Sequence, residues 1–256
     1  MTAPATPFRA ASPRTAVLRA EARLFRREPG NLFWALGFPT LLFVVLGCVP
    51  KFREVSADLG GIRLIDVYVP VAVLVALIMA GLQVMPPVLT GYRERGILRR
   101  MSTTPMRPSA LLTAQMGLNG AAALLSALTS LTVGRLAFDV PLPRQVLGYA
   151  LALLLAATAA LALGALVAAF ARTAKVATAI GSSTAFPMLF TAGVWVPVAA
   201  MPDVLARIVE LTPFGAAASA LDAAAAGDWP AWSHLGVLVG WTLVPSAVAI
   251  RWFRWE

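Results

Sequence analysis

The 256-residue sequence is strongly apolar, with 59% hydrophobic and 13% charged residues and a mean hydropathy of +0.78. Soluble domains carry about 25% charged residues, so the composition excludes an ordinary soluble fold and indicates a membrane protein. The single Cys48 and the single His234 exclude a disulfide framework and a zinc site built from these residue types. The net charge of +9 lies in short pieces between long uncharged runs, which argues against nucleic acid as a partner.

Six segments without Asp, Glu, Lys or Arg are long enough to cross a membrane as helices, which takes roughly 20 apolar residues each. With their ends trimmed, they predict spans over Leu32–Val49, Val67–Val88, Leu111–Val133, Val146–Phe170, Val176–Val194 and Leu235–Ile250. A shorter apolar stretch, Leu211–Leu221, is too short to span and predicts a re-entrant segment within 195–228. The predicted class is an all-α membrane protein, with a tail and surface helix over 1–31, six spans over 32–250 and a C-terminal tail over 251–256.

The distribution of cations predicts the orientation of the spans. Fifteen of the 21 Lys and Arg residues fall in alternate segments: the N-terminal tail, the loop after the second span, the loop after the fourth span and the C-terminal tail. Cytoplasmic segments of membrane proteins carry the excess of Lys and Arg. We therefore predict that both termini and the central loop, residues 91–108, are cytoplasmic. The high Ala and Arg content is typical of a GC-rich bacterial gene, which indicates a bacterial inner membrane.

Residues 15–28 predict a basic amphipathic helix before the first span. One stripe of a 3.6-residue period holds four arginines, and another face holds Val17, Leu18, Leu24 and Phe25. Such a helix places its apolar face in the headgroup region while its arginines meet anionic lipid. The alternative is an orienting charge cluster without a further role. The four arginines are Arg19, Arg23, Arg26 and Arg27.

The central loop predicts a short helix from Tyr92 to Met101, ended by two prolines. An exposed edge of Ile97, Leu98 and Met101 among arginines is more than orientation requires, and it predicts a partner protein with an apolar groove rimmed by acids. The alternative is an ordinary charged loop. The candidate contact residues are Glu94, Arg95, Ile97, Leu98, Arg99, Arg100 and Met101.

The spans contain polar groups but no acid or base deep inside them, which disfavours proton- or ion-coupled transport. Most of these polar groups are expected to form hydrogen bonds between helices. Some are weaker candidates for lining a passage for an amphiphilic solute, namely Gln83, Asn119, Ser182, Ser183 and Thr184. Small residues at a spacing of four, Ala177, Gly181 and Ala185, would permit close helix packing in the fifth span.

Motifs for nucleotide or acyl chemistry are absent from the sequence. There is no glycine-rich phosphate loop ending in Lys-Ser or Lys-Thr, so the chain is not expected to hydrolyse nucleotide itself. No serine lies in a G-x-S-x-G motif, and His234 would be the sole histidine for a catalytic triad. We predict no catalytic residue, no metal ligand and no cofactor bound by this chain.

Three sequence motifs carry a family resemblance: Arg27-Glu28-Pro29, the run from Glu94 to Met101 with Thr104-Pro105, and the run from Phe190 to Pro197 with Met201-Pro202 and Pro213. With these motifs the chain resembles, over nearly its whole length, the membrane subunits of type-2 ATP-binding-cassette exporters, particularly the daunorubicin-resistance type. The central loop is the more specific part of the resemblance, because hydrophobic spans alone are common to many membrane proteins.

The resemblance implies that the central loop forms a coupling helix docked on a separate cytoplasmic ATPase, which would hold ATP and Mg. Two permease copies and two ATPase subunits would form the pump, and 195–228 would form a re-entrant cap over the exit. The expected function is export of a hydrophobic or amphipathic compound, such as an antibiotic, a drug or a lipid-like molecule. The alternative is a non-transporting membrane subunit with an immunity or signalling role. A lipid-modifying enzyme is disfavoured, and the solute and the choice between homodimer and heterodimer stay open.

Overall fold

The protein, as a computed structural model, is described over residues 13–56, 61–102 and 108–252. The remaining residues, including Pro105 and the last four of the C-terminal tail, lie outside the described part. The helices are α1 (Pro13–Arg27), α2 (Pro29–Leu32), α3 (Phe38–Cys48), α4 (Pro50–Arg53), α5 (Leu64–Ile78), α6 (Met85–Glu94), α7 (Ile97–Ser102), α8 (Pro108–Phe138), α9 (Val146–Phe170), α10 (Ala174–Thr191), α11 (Asp203–Val209), α12 (Pro213–Ala226) and α13 (Trp232–Trp252). Within these ranges the strands are two short antiparallel ones, β1 (Val55–Ser56) and β2 (Ile62–Arg63).

Two of the predicted spans contain π-helical turns. A turn over Phe33–Gly37 joins α2 to α3, and a turn over Met79–Val84 joins α5 to α6. Prolines at 86 and 87 follow the second turn. Because proline has no backbone N–H, the helix loses the donors that would reach the carbonyls four residues earlier. A π-helical turn at this position is one way in which the backbone accommodates that loss.

Five helical segments in the described chain are long and apolar enough to cross a membrane. They are Pro29–Cys48, Leu64–Glu94, Leu111–Phe138, Val146–Phe170 and Trp232–Trp252. These segments correspond to the first, second, third, fourth and sixth predicted spans. The predicted all-α membrane class is confirmed.

The predicted fifth span differs from the other five. Helix α10 forms where it was predicted, but it is less apolar than the other five, because its 18 residues include Lys175 and the Ser182–Thr184 run. By length and composition alone, the described chain gains a sixth candidate span if α11 and α12 count as one segment, and these two helices meet at a bend of 106°. Such a bend is expected for the re-entrant segment predicted within 195–228.

The second span lies at the centre of the molecule. Its most apolar window is 83% buried, against 22% for the first and the last spans. A helix that is hydrophobic all round is stable only when other helices cover it. Its π-helical turn contacts the first span, α8, α9 and α10, so the other helices are arranged around it.

Three glycines allow the helices to approach the second span closely. Added Cβ atoms at Gly81, Gly164 and Gly181 would overlap the carbonyls of Ala160, Gly81 and Leu82, respectively. In α10, Gly181 lies on a buried stripe with Ala177 and Ala185, as the four-residue spacing predicts. The positions of α9 and α10 against the second span therefore depend on side chains that are absent or small.

Candidate functional site

The central loop forms two helices instead of one. Helix α6 ends at Glu94, and α7 begins at Ile97 after a turn in which Gly96 has a φ of +65°. This left-handed conformation is accessible to glycine without the steric cost that a Cβ would add. The prediction of one continuous helix from Tyr92 to Met101 is therefore wrong.

The predicted exposed edge of Ile97, Leu98 and Met101 is also wrong for Leu98. The Leu98 side chain is 3% exposed and packs in a cluster with Val17, Tyr92, Leu111 and Ala114. Half-buried Ile97 packs against the same cluster. The apolar residues of α7 thus anchor the helix to α1 and α8, and the side chain of Met101 lies outside the described part.

The exposed side of the central loop is basic. Arg95 lies 5.6 Å over the ring of Tyr92, and its Nε donates a hydrogen bond of 3.1 Å to the carbonyl of Gly91. Exposed Arg100 donates one of 3.0 Å to the carbonyl of Arg95. Both cations stay at the surface, where they could meet an acidic partner. The side chain of Arg99 is outside the described part.

The end of α6 is bonded to the start of α10. The carboxylate of Glu94 accepts a hydrogen bond of 3.0 Å from the backbone N–H of Ala174, the first residue of α10. Arg93 donates to the carbonyl of Ala171 in the same turn. A carboxylate at a helix N-terminus satisfies a free N–H and is favoured by the helix dipole. Glu94, a predicted contact residue, therefore holds α10 to the central loop.

A buried polar network joins α1, α6 and α8. The Glu21 side chain is 6% exposed, and its Oε2 accepts hydrogen bonds of 2.7 Å from Tyr92 Oη and 2.5 Å from Gln115 Nε2. Burying a carboxylate without partners is costly, so these two donors are what makes its position tolerable. The network ties the surface helix to Tyr92, at the start of the central loop.

Asn119 is bonded to this network. It is completely buried on α8, and its Nδ2 donates to the carbonyl oxygen of Gln115 at 2.9 Å and to the side-chain Oε1 at 3.2 Å. These bonds are of the kind between polar groups that the sequence predicted for most of the spans, and a role of Asn119 in a passage stays a prediction. Sequence reasoning did not identify Glu21 as part of this site, although it falls at i+4 from Val17 on the face that packs against α8.

Two of the other predicted passage residues meet directly. Ser182 Oγ in α10 lies 3.2 Å from Gln83 Oε1 in the π-helical turn of the second span. Ser182 and Ser183 are exposed, whereas Gln83 and Thr184 are half-buried. We call Gln83 and Ser182 the polar pair; it lies at an open edge of the helix bundle, between otherwise apolar turns.

The surface helix is formed as predicted, with a different division of its apolar residues. All four of its predicted arginines are exposed: Arg19, Arg23, Arg26 and Arg27. Val17 and Phe25 pack against protein, and Leu18 and Leu24 are 43% and 45% exposed. Only part of the predicted lipid-facing surface is therefore free to meet lipid.

Comparison with known proteins identifies a family for this chain. Residues 15–224 match the family model described as ABC-2 type transporter, from the surface helix to α12. The matched range includes the central loop, the buried network and the polar pair. No individual curated protein matches the sequence. Because the family model covers most of the chain, the protein belongs to the ABC-2 type transporter membrane family.

Proposed function

We propose that this protein is the permease subunit of an ATP-driven exporter of the daunorubicin-resistance type, which moves a hydrophobic or amphipathic compound out of the cell. The family identifies it as a transmembrane permease component without a nucleotide-binding domain. In the proposal, a separate cytoplasmic ATPase binds ATP and Mg and docks on the central loop. Exposed Arg95 and Arg100 support this docking, since they offer a basic surface to an acidic partner.

One observation carries the proposal: the central loop is attached to both helices that hold the polar pair. Upstream, α6 runs directly from the π-helical turn that carries Gln83 to Glu94. Glu94 in turn bonds the N-terminus of α10, which carries Ser182. A displacement of the loop by the ATPase would therefore move both sides of the polar pair. This provides a physical route by which ATP binding could shift the permease between two conformations.

The compound is proposed to pass along the open edge at the polar pair, opposite a second permease copy. Exposed Phe186 and Phe190 on α10, together with Ser182 and Ser183, give this edge both apolar and hydrogen-bonding groups. Such a mixture suits an amphiphile better than an ion. The proposed orientation places the central loop and both termini in the cytoplasm of a bacterium, with the arginines of α1 against anionic lipid.

The experiment is a mild-detergent purification of the tagged chain from its host, followed by an assay of ATP hydrolysis. We expect a stoichiometric ATPase with vanadate-sensitive turnover. The double variant Arg99→Glu, Arg100→Glu should lose the ATPase while still inserting into the membrane. In a matched control, the charges of two exposed arginines on the proposed outer side are reversed, as Arg135→Glu and Arg207→Glu. This variant should retain the ATPase.

Three outcomes would contradict the proposal. Normal ATPase association in the Arg99, Arg100 double variant would exclude the central loop as the contact. A permease that never associates with an ATPase, even after cross-linking in intact membranes, would exclude the exporter. Association and hydrolysis without export of any compound would favour the non-transporting subunit instead.

A further inference from the structure

A second site lies at the end of the second span that is remote from the central loop. A cavity of about 720 Å³ is lined there by residues of β2, the first turns of α5, the segment between α8 and α9, the short 3-10 turn at Val198–Ala200, and α12. Asp66 in its wall is 28 residues before Glu94, which corresponds to about 40 Å along a helix. In the proposed orientation, this cavity is on the outer side of the membrane.

The two acids in the cavity wall differ in their partners. Asp66 is fully engaged by Arg63, through hydrogen bonds of 3.1 Å to Oδ2 and 2.7 Å to Oδ1. Asp222 of α12 is half-buried, and within the described part of the chain its carboxylate has neither a hydrogen bond nor an ion pair. Burial raises the pKa of Asp222 to about 7. A partly buried carboxylate without a partner destabilises the folded protein, and a ligand that pairs with it would remove that penalty.

The surroundings of Asp222 do not supply that partner. Arg144 also lines the cavity, but it is exposed at the rim and forms no ion pair with Asp222. Tyr149 of α9 is close enough to interact electrostatically with Asp222. Its hydroxyl group is buried and has no hydrogen-bond partner among the described residues. Asp222 thus faces the cavity without a partner from the described protein, and the unpaired hydroxyl group of Tyr149 lies in its vicinity.

The rest of the wall is apolar. It is formed mainly by small aliphatic side chains, including Val67, Val140, Ala199, Ala223 and Ala226. A cavity of several hundred Å³ with an apolar wall and few polar groups is typical of a site for a small organic molecule. Of the two charges in the wall that form no ion pair among the described residues, Asp222 is the more buried and Arg144 lies at the exposed rim, so the interior of the cavity favours a ligand with a positive charge.

We propose that this cavity binds an amphipathic monocation, such as a compound with an ammonium group and an apolar body, and that Asp222 is its counter-ion. The inference deepens the proposed function, because it assigns a charge to the compound and places a binding site near its exit. Asp222 acts as a specificity-determining residue, and the apolar wall accepts bodies of different shape. Arg144 at the rim lowers the affinity for cations by its own positive charge.

The test uses tetraphenylphosphonium as the probe, with tetraphenylborate as an anion of the same shape. The full chain is placed in nanodiscs of zwitterionic lipid, and binding is measured by equilibrium dialysis with empty nanodiscs subtracted. We expect saturable binding of one tetraphenylphosphonium per chain and none of tetraphenylborate. Asp222→Asn should weaken cation binding at least about tenfold, and Arg144→Gln should strengthen it.

Asp203→Asn is the matched control, since Asp203 is an exposed acid of α11 outside the cavity wall. Unchanged affinity in Asp222→Asn, or equal binding of both probes, would overturn the proposal. If Asp222→Asn fails to fold, the variant Ala226→Cys in a Cys48→Ala background replaces it, because Ala226 lines the cavity and is exposed to reagent. Tetraphenylphosphonium should then slow labelling by a membrane-impermeant maleimide, and unaltered labelling would overturn the proposal.

This binding measurement needs neither the ATPase nor transport. A failure to bind the cation, with ATPase association intact, therefore rejects the outer site and leaves the exporter proposal standing. If the chain binds the cation but no ATPase associates with it in the purification experiment, the exporter proposal is rejected and the outer site stands.

Discussion

At the two ends of the second span, carboxylates have opposite surroundings. Near the central loop, Glu21 accepts two hydrogen bonds and Glu94 accepts one from a helix N-terminus. At the remote end, Asp222 has no donor among the described residues. Glu21 and Glu94 connect separate helices through these hydrogen bonds, whereas Asp222 forms no such connection within the described part of the chain.

The same chemical group therefore has two different surroundings in one helix bundle. A carboxylate that accepts several hydrogen bonds fixes the distance between the elements that supply them. An unpaired carboxylate beside a cavity contributes no such connection and is available to a ligand. We infer that the end near the central loop is built to transmit force and the remote end to bind.

The largest expected effect concerns the close contact of Gly164 in α9 with Gly81, which lies in the second span between the two ends. Gly164→Ala places a Cβ against the carbonyl of Gly81, and a backbone carbonyl inside a helix cannot turn away. We expect a loss of about 3 kcal/mol in the free energy of unfolding, at the upper end for overpacked cores. Unfolding in mixed detergent measures it. Gly240→Ala is the control, since no atom lies within 4 Å of its added Cβ. Equal stability of the two variants would contradict the close packing.

The second-largest effect is expected when the buried polar network near the central loop loses its carboxylate. Glu21→Ala leaves Tyr92 and Gln115 without their acceptor, which we expect to cost about 2 kcal/mol of unfolding free energy. In the complex it should also reduce ATPase association, because α7 is anchored on the same helices. Arg23→Ala, on the exposed face of α1, should change stability by less than about 0.5 kcal/mol. If Glu21→Ala behaves like Arg23→Ala, the network does not hold α1 in place.

At the remote end, the expected effect has the opposite sign. Because the folded-state pKa of Asp222 is raised to about 7 from an ordinary value of 3.8, its ionisation opposes folding. The cost is absent below about pH 4, grows as the pH rises towards 7 and is complete above it. Asp222→Asn should therefore stabilise the protein by about 1–2 kcal/mol at pH 8 and by little at pH 4. The measurement is the free energy of unfolding of both proteins at pH 8 and at pH 4. If Asp222→Asn is less stable than the unchanged protein at pH 8, Asp222 has a partner.

The smallest effect on stability concerns Glu94. Glu94→Ala should cost about 1 kcal/mol or less, since the carboxylate is exposed and caps one helix. Glu94→Gln keeps an oxygen acceptor for Ala174 N–H and should restore most of that loss. In the complex we expect Glu94→Ala to hydrolyse ATP with weakened export. Full export in Glu94→Ala would mean that the bond to α10 carries no displacement.

Much of the fold was predictable because charge-free segments of sufficient length have few alternatives to membrane spans. The small-residue stripe of α10 and the exposed arginines of α1 followed from helical periodicity in the same way. The break at Gly96 also had a visible signal, a glycine inside a short helical pattern, that was not used. The π-helical turn before Pro86 had one as well, in the adjacent prolines.

The site was less predictable, for a physical reason. Periodicity shows which residues share a helix face but not which distant helix covers that face. The burial of Leu98 and Glu21 depends on contacts with α8, which is formed by a later part of the sequence. The same limit applied to Asn119, which looked identical in kind to Gln83 until its neighbours were known.

In the proposed exporter, force from the ATPase reaches the polar pair, and a reversible lock tests this. In a Cys48→Ala background, Gln83→Cys and Ser182→Cys together can be joined by a short, reducible bis-methanethiosulfonate, because Gln83 now reaches to 3.2 Å from Ser182 Oγ with a side chain longer than that of cysteine. We expect the cross-link to reduce vanadate-sensitive turnover of the purified complex at least about tenfold, with recovery on reduction and no effect of the reagent on either single variant. Full turnover with the cross-link complete by mass spectrometry would show that this force does not pass through the polar pair.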